Sequence, residues 1–399
     1  NIIMARRLKK PYRMILKTIA VIVAFVVLKW LWVTISTMGH GTFEGEKTEI
    51  LRRRNYLTNK LLVSPEGVLN EMPGGIGSQF QGEWAMYSCS MLSAALANIS
   101  ILYPDEKEKS VEQIDKLIEI VMSPEVREYD AARWDEDPLE SWDSEKSHMS
   151  YLSILAWMIS SYKTAGGDDK YDDLYYRLCS TLNWRMKESP TLNLLTYPNE
   201  AVYVPDMLVT LVALSNFKWQ CDDRYQSTVK EWLDKAKKEW TDKETGILKS
   251  FLDYNGTELS QPIKGSYTAL ICYYLTFVDK DFAHEQYELL KKHFMQRSPF
   301  AGIREYYDRT CWLGMDIDSG PIIFNLSPSG TAFAIGAATY FGDTDFRNSL
   351  LKTGEIAGST VRGWNTNHYL LANMALVGEA ITLAMRTSVP WHNETNENK

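Results

Sequence analysis

Six segments of this chain are apolar on nearly every side, and each is paired in sequence with one that is charged along a face. The apolar six lie near 83 (WAMYSCSMLSAALANISIL), 146 (HMSYLSILAWMISSY), 203 (YVPDMLVTLVALSNF), 263 (YTALICYYLTFV), 328 (TAFAIGAATYF) and 367 (HYLLANMALVGEAITLAM). Their hydrophobic spacing of three and four residues is helical, and a helix without a polar face must be covered on all sides. The partners near 48, 110, 170, 224, 280 and 343 are amphipathic, as in KYDDLYYRLCSTLNWRMK and RYQSTVKEWLDKAKKEW. Strand-like alternation is nearly absent. The pattern predicts an all-α chain whose twelve helices form an inner and an outer ring, an (α/α)6 barrel or toroid. No Pro/Gly/Ser-rich linker divides residues 45 to 385, so the barrel domain is assigned to 45–388 and a flexible tail to 389–399.

From Thr18 to Thr37 the sequence is apolar apart from Lys29 and a few hydroxyls. At about 1.5 Å per residue, roughly 20 residues cross a hydrocarbon core of about 30 Å, so 18–37 is expected to be one transmembrane helix. The preceding basic segment, 1–17, carries Arg6, Arg7, Lys9, Lys10, Arg13 and Lys17. By the positive-inside rule it stays in the cytoplasm, and the barrel lies on the periplasmic side of the inner membrane. Trp30 and Trp32 suit the outer interface, toward which Lys29 can snorkel. The alternative is a cleaved signal peptide, but the apolar run exceeds the roughly 7–15 residues of such a segment and no A-x-A-like site follows. The chain opens on Asn1, so initiation falls at Met4 or upstream. Membrane lipid around 18–37 is the first expected partner. Nothing in the sequence excludes an oligomer.

A net charge of -8 argues against nucleic acid, because a phosphate-binding face needs clustered Lys and Arg. The five cysteines (89, 179, 221, 272 and 311) form no CxxC and have no histidine at zinc-ligand spacing, so neither a metal nor another cofactor is expected. Aromatic residues, 13 Trp and 22 Tyr, are numerous enough to supply a platform for a sugar ring as well as a core.

The connections leading into the apolar helices are long (72–83, 130–147, 193–203, 251–263, 298–328 and 358–367), and the reverse turns are short. Parallel inner helices would gather all six long connections at one mouth, where a binding or catalytic site is expected. The 130–147 stretch brings Trp134 and a run of acids from which Asp135 or Asp137 is selected, although a solvated loop looks the same. His148 follows at a helix start, where an imidazole can carry protons. NLLTYPNEAVYVPDM adds Tyr197, Tyr203 and a carboxylate pair, Glu200 and Asp206, of which Asp206 also suits the positive end of a helix dipole. The insertion before 328 adds Tyr307, Trp312, Asp316 and Asp318. The two aspartates share a face if the segment is extended, and a turn before Ser319 is the plainer reading. Trp364, Asn367 and His368 complete the set.

Three stretches resemble the linalool dehydratase/isomerase family of cofactor-independent (α/α)6-barrel enzymes. They are K-x-H at Lys146–His148, Y-P-N-E-A-V-Y from Tyr197 to Tyr203, and TDKETGILKSF with KGSYTALICYYL around 241–275. The resemblance implies that His148 is an active-site histidine. Thr196 and Pro205 stand near the positions of the family's two cysteines. Function is then expected to be acid/base chemistry on a hydroxylated substrate, a carbohydrate in a glycoside-hydrolase-like reaction. A hydro-lyase or isomerase acting on an alcohol and a non-catalytic glycan-binding module are the alternatives. In a hydrolase of this kind Asp316 or Asp318 would face Glu200 or Asp135.

Overall fold

The computed structural model describes residues 2–36, 43–316, 319–372 and 376–392, with side chains beyond 2–11, 76 and 78. Its helices are, in order, α1 (Ile2–Ser36), α2 (Phe43–Leu61), α3 (Pro65–Asn70), α4 (Ser78–Leu102), α5 (Lys107–Val121), α6 (Pro124–Trp134), α7 (Met149–Thr164), α8 (Asp172–Glu188), α9 (Val204–Gln220), α10 (Gln226–Lys235), α11 (Gly265–Leu275), α12 (Lys280–Phe294), α13 (Pro328–Tyr340), α14 (Thr344–Gly358) and α15 (Leu376–Arg386). Among the described residues, four two-stranded antiparallel sheets sit between them: β1 (Val202–Tyr203) with β2 (Phe251–Leu252) across α9 and α10, and the hairpins β3 (Met295–Gln296) with β4 (Gly302–Ile303), β5 (Leu313–Asp316) with β6 (Gly320–Ile323), and β7 (Thr360–Arg362) with β8 (Asn367–Tyr369). Strands of two to four residues are too short to show a period in sequence.

The apolar helices pack side by side in the order α4, α7, α9, α11, α13, α15, and α15 returns to α4. This closes the inner ring of an (α/α)6 barrel, with α2, α5, α8, α10, α12 and α14 outside it. The ring is sealed between its first and last helices by buried charge. Glu46 of α2 accepts from Arg347 at 2.7 and 2.9 Å and from Arg386 at 2.8 Å. Burial opposes ionisation of Glu46, but the two guanidinium groups outweigh it and hold the carboxyl at about 2. Two turns further on, Arg53 reaches Glu379 of α15 at 2.6 Å. A highly charged helix thus completes an apolar ring because each of its buried charges is paired.

Three expectations need correction. The stretch after Asp130 is not all loop: Ser123 caps and Pro124 opens α6, which runs to Trp134. The last inner helix does not start at 367, because Asn367–Tyr369 pair with Thr360–Arg362 and are held by α2, and the helix begins at Leu376. The first residues of the expected tail are packed, since Trp391 lies on Phe277 at 4.8 Å and donates from Nε1 to Asn98 at 2.7 Å, and 393–399 lie outside the described residues.

Among the described residues, two helices are long and apolar enough to cross a membrane. Gln79–Leu102 is mostly buried in the barrel, whereas the face of Tyr12–Ile35 is open.

Candidate active site at the barrel mouth

The inner helices are covered by the outer ring, yet each keeps half-buried positions near its mouth end. They include Trp84 and Tyr87 on α4, Ile154 on α7, Asp206 on α9, Tyr267 on α11, Ser329 and Ala332 on α13, and Val377 on α15. What uncovers them is the bore. Its floor is aromatic. Tyr87 and Tyr274, on opposite members of the ring, meet hydroxyl to hydroxyl at 3.2 Å. Trp157 and Phe277 fill the space around Tyr274, and Trp391 closes the base. Below the mouth the barrel is thus filled by aromatic side chains, and its half-buried inner positions lie toward the mouth.

Four long connections meet at the rim. β1 and β2 join 193–203 to 251–263, Lys264 joins 251–263 to the 298–328 insertion, and Arg133 of α6 leans on Tyr197. On the α9 wall, Thr196 donates to Asp206 at 2.9 Å. The Asp206 charge also acts on Tyr87 and Tyr274, whose phenols are pushed up chiefly by burial. Above it, Tyr203 donates to exposed Glu200 at 2.8 Å and sets its ring edge-on to Phe251. On the α11 wall, Lys264 Nζ lies 3.1 Å from both oxygens of Asp316, Tyr306 donates to the same carboxylate at 3.3 Å, and the ammonium stands 5.7 Å from the Tyr267 ring. On the α4 wall, Arg133 reaches Glu83 at 3.1 Å and lies 3.7 Å over the Tyr197 ring.

Behind Asp316, Glu305 is fully buried and accepts from the Ser266 backbone N–H and hydroxyl at 3.2 and 2.9 Å. Burial raises its carboxyl to about 7; the Ser266 hydrogen bonds offset part of this, and the Asp316 charge adds to it.

A second acid-rich cluster lies beside the bore. His148 is fully buried in a left-handed conformation at the start of α7, with Nδ1 2.5 Å from Asp130 and Nε2 3.0 Å from Glu136. Burial pushes the Asp130 carboxyl up. At Glu136 burial acts upward too, but hydrogen bonds from Ser144, His148 and Lys146 lower the carboxyl. Arg185 locks the loop by donating to the carbonyls of Ser141, Ser144 and Ser147. Both imidazole nitrogens have a carboxylate partner, which ties the start of α7 to α6 and to the 130–147 stretch.

The other expected residues divide in the same way. Glu200, Asp316, Tyr197 and Tyr203 come together at the rim. Asp318 lies outside the described residues. Asp135 is exposed and ends α6 in a left-handed conformation. Trp134 is buried with its ring 5.5 Å from His148, and Tyr307 packs on Phe294 of α12. Trp312 lies on the outer face of the β5–β6 hairpin, edge-on to Phe324, and is largely exposed. Trp364 is 96% exposed on the β7–β8 turn. Asn367 bonds Glu49 and His368 stacks on Tyr56 at 4.0 Å, so both fasten β8 to α2. Sequence reasoning missed Lys264, Tyr267, Tyr87 and Arg133. For the first three the available signal was their place in the opening residues or first turns of an apolar helix, where a polar side chain has only the bore to face.

Two grooves, of about 320 and 530 Å³, lie elsewhere, one between α2, α3 and α5 and the other along α8, and neither is lined by a rim residue.

No protein-family model and no curated protein sequence matches this chain. Among solved structures, it resembles a glycoside hydrolase from family 105 of C. acetobutylicum ATCC 824, with a TM-score of 0.51 and 10% identity over 75% of this chain and 92% of that one. It also resembles an unsaturated glucuronyl hydrolase specific for heparin, with a TM-score of 0.50 and 12% identity over 84% of this chain and 96% of that one. At these identities the likeness is one of fold, the (α/α)6 barrel.

Proposed function

We propose that the chain is a membrane-anchored, cofactor-independent hydrolase acting on a glycan, with its site in the cup at the barrel mouth. One observation carries this reading: half-buried aromatic rings (Trp84, Tyr87, Tyr203, Tyr267) alternate around the bore with carboxylates in different surroundings. Sugars present apolar ring faces and a fringe of hydroxyls, and such a wall matches both. Asp316 is paired with an ammonium, Asp206 sits among hydroxyls, and Glu200 is open to solvent. In glycoside hydrolysis one carboxylic acid protonates the leaving oxygen while a carboxylate activates water or attacks the sugar. Asp316 and Asp206, on neighbouring walls, are the first candidates, and Glu200 is the third. That two sugar-cleaving enzymes share the fold agrees with this assignment.

The resemblance to linalool dehydratase/isomerase assigns the chemistry to His148 instead. A ring buried between two carboxylates favours a holding role, and Thr196, near one of the family's cysteine positions, here orients Asp206. The basic flank and the open apolar face of Tyr12–Ile35 support the anchor, with the barrel outside the cytoplasm. The test is turnover of a panel of neutral and uronic-acid oligosaccharides by the full chain and by Asp316→Asn and Asp206→Asn. Release of reducing ends that both substitutions abolish supports the assignment. Release that survives both substitutions overturns it.

A further inference from the structure

The path of α1 along the barrel fixes where a membrane would lie. Lys29 Nζ donates to the Ile356 carbonyl at 2.5 Å and bonds the Ser359 hydroxyl, at the C-terminal, mouth end of α14. The next residue, Trp30, lies 4.2 Å beneath the ammonium of Lys352, one turn closer to the base. The chain then reaches Phe43, whose carbonyl accepts from Tyr103 at 2.6 Å and whose ring stands 5.8 Å from the guanidinium of Arg347 in the first turn of α14, both at the base. α1 thus runs down α14 from mouth to base. Its apolar segment from Tyr12 to about residue 28 projects beyond the mouth end.

The same end carries the largest exposed apolar side chains of the barrel. On the β5–β6 hairpin, Trp312, Leu313 and Met315 are 60, 81 and 77% exposed. On and after the β7–β8 hairpin, Trp364 is 96%, Leu370 61% and Leu371 53% exposed. These hairpins are consecutive mouth connections flanking α13, next to the helix that α1 packs against. Large apolar side chains clustered on exposed hairpins in this way are rarely left in water, and Trp side chains favour the membrane interface.

We infer that α1 holds the barrel mouth face-on to the bilayer, that the two hairpins seat in its interface, and that the cup receives its substrate as a hydroxylated head group carried on a membrane lipid. The substrate class rests on the glycan reading above; the orientation does not.

The experiment uses the full chain in nanodiscs of phosphatidylcholine and phosphatidylglycerol, with Cys221 and Cys311 replaced by Ser. A fluorophore is attached at one of four substitutions: Val23→Cys in α1, Leu313→Cys or Trp364→Cys on the hairpins, or Asp223→Cys at the base. Quenching by doxyl-labelled lipid is then measured. The expected result is strong quenching at 23, 313 and 364 and severalfold less at 223. Quenching at 23 with 313 and 364 no more quenched than 223 overturns the orientation while leaving the anchor intact. No quenching at 23 overturns the anchor and the orientation with it. Cross-linking of 364 between two copies, without lipid quenching, makes this face a dimer contact and also overturns the inference. A glycan assay that fails with the quenching pattern intact removes the substrate class alone.

Discussion

Asp130–His148–Glu136 and Lys264–Asp316–Tyr306 both set a cationic or titratable nitrogen against carboxylates at the same end of the barrel, and the function proposed above gives them opposite roles. In the first, a fully buried imidazole has a carboxylate on each ring nitrogen, and one of the two, Asp130, is fully buried itself. In the second, an ammonium and a carboxylate about an eighth exposed line a bore beside half-buried rings. Charge and titratability therefore mark both clusters, and only the opening of the bore separates them. The Asp130–His148 pair is fully buried, and under the proposed function its pairing serves stability.

The comparison is tested hardest at His148. His148→Ala should cost on the order of 3–5 kcal/mol, because it strands the buried Asp130 carboxyl without its partner. Chemical denaturation of the detergent-solubilised chain measures this. An unchanged unfolding midpoint together with lost turnover would make His148 catalytic and erase the distinction between the clusters.

Glu305 provides a pH test of the second cluster. Its carboxyl is raised from 4.5 to about 7 in the folded chain, so between those values the folded state holds a proton that the unfolded state has released. Stability from this group is complete below pH 4.5 and is lost as pH rises through 7. At about 1.4 kcal/mol per tenfold change in proton affinity, the loss is on the order of 3 kcal/mol. Glu305→Gln should flatten that part of the stability profile. A wild-type profile already flat between pH 5 and 7 would show that the carboxyl is ionised throughout.

Asp206→Asn should lower turnover by about 10²-fold or more, the weight of a general acid or base, while changing stability by under about 1 kcal/mol, since an amide still accepts from Thr196. Glu200→Gln should leave stability within about 0.5 kcal/mol, as exposed sites do. If turnover with Glu200→Gln falls as far as with Asp206→Asn, the carboxylate pair is Glu200 with Asp316.

The ring was legible because its signal is large: six apolar segments can be covered only by one another and by six partners. Boundaries were less so. Asn367, His368 and Tyr369 read as the start of a helix, yet Glu49, Tyr56 and Arg53 of α2 draw them into a strand, a tertiary demand with no local trace. Within the site, Tyr203, Glu200 and Asp316 were legible from their place in long connections. For Lys264 only its place at the opening of an apolar helix was legible, and its pairing with Asp316, 52 residues away, was not.

The smallest effect is expected at Asp135, which sequence offered beside Glu200 as one candidate for the catalytic pair. It ends α6 with φ of +56°, a left-handed conformation that costs an ordinary side chain about 1–2 kcal/mol and glycine nothing, with aspartate between. Exposed, with its backbone N–H bonded to the Ala131 carbonyl, it serves as the helix stop. Asp135→Gly should therefore raise stability by about 0.5 kcal/mol or leave it unchanged, and Asp135→Val should lower it by about 1 kcal/mol. Turnover should not move in either variant, because position 135 lies next to the sealed His148 cluster and off the bore. A tenfold loss of turnover in Asp135→Gly, with the folded state intact, would mean that the carboxylate reaches substrate, and the functional boundary drawn between the two clusters would have to move to include it.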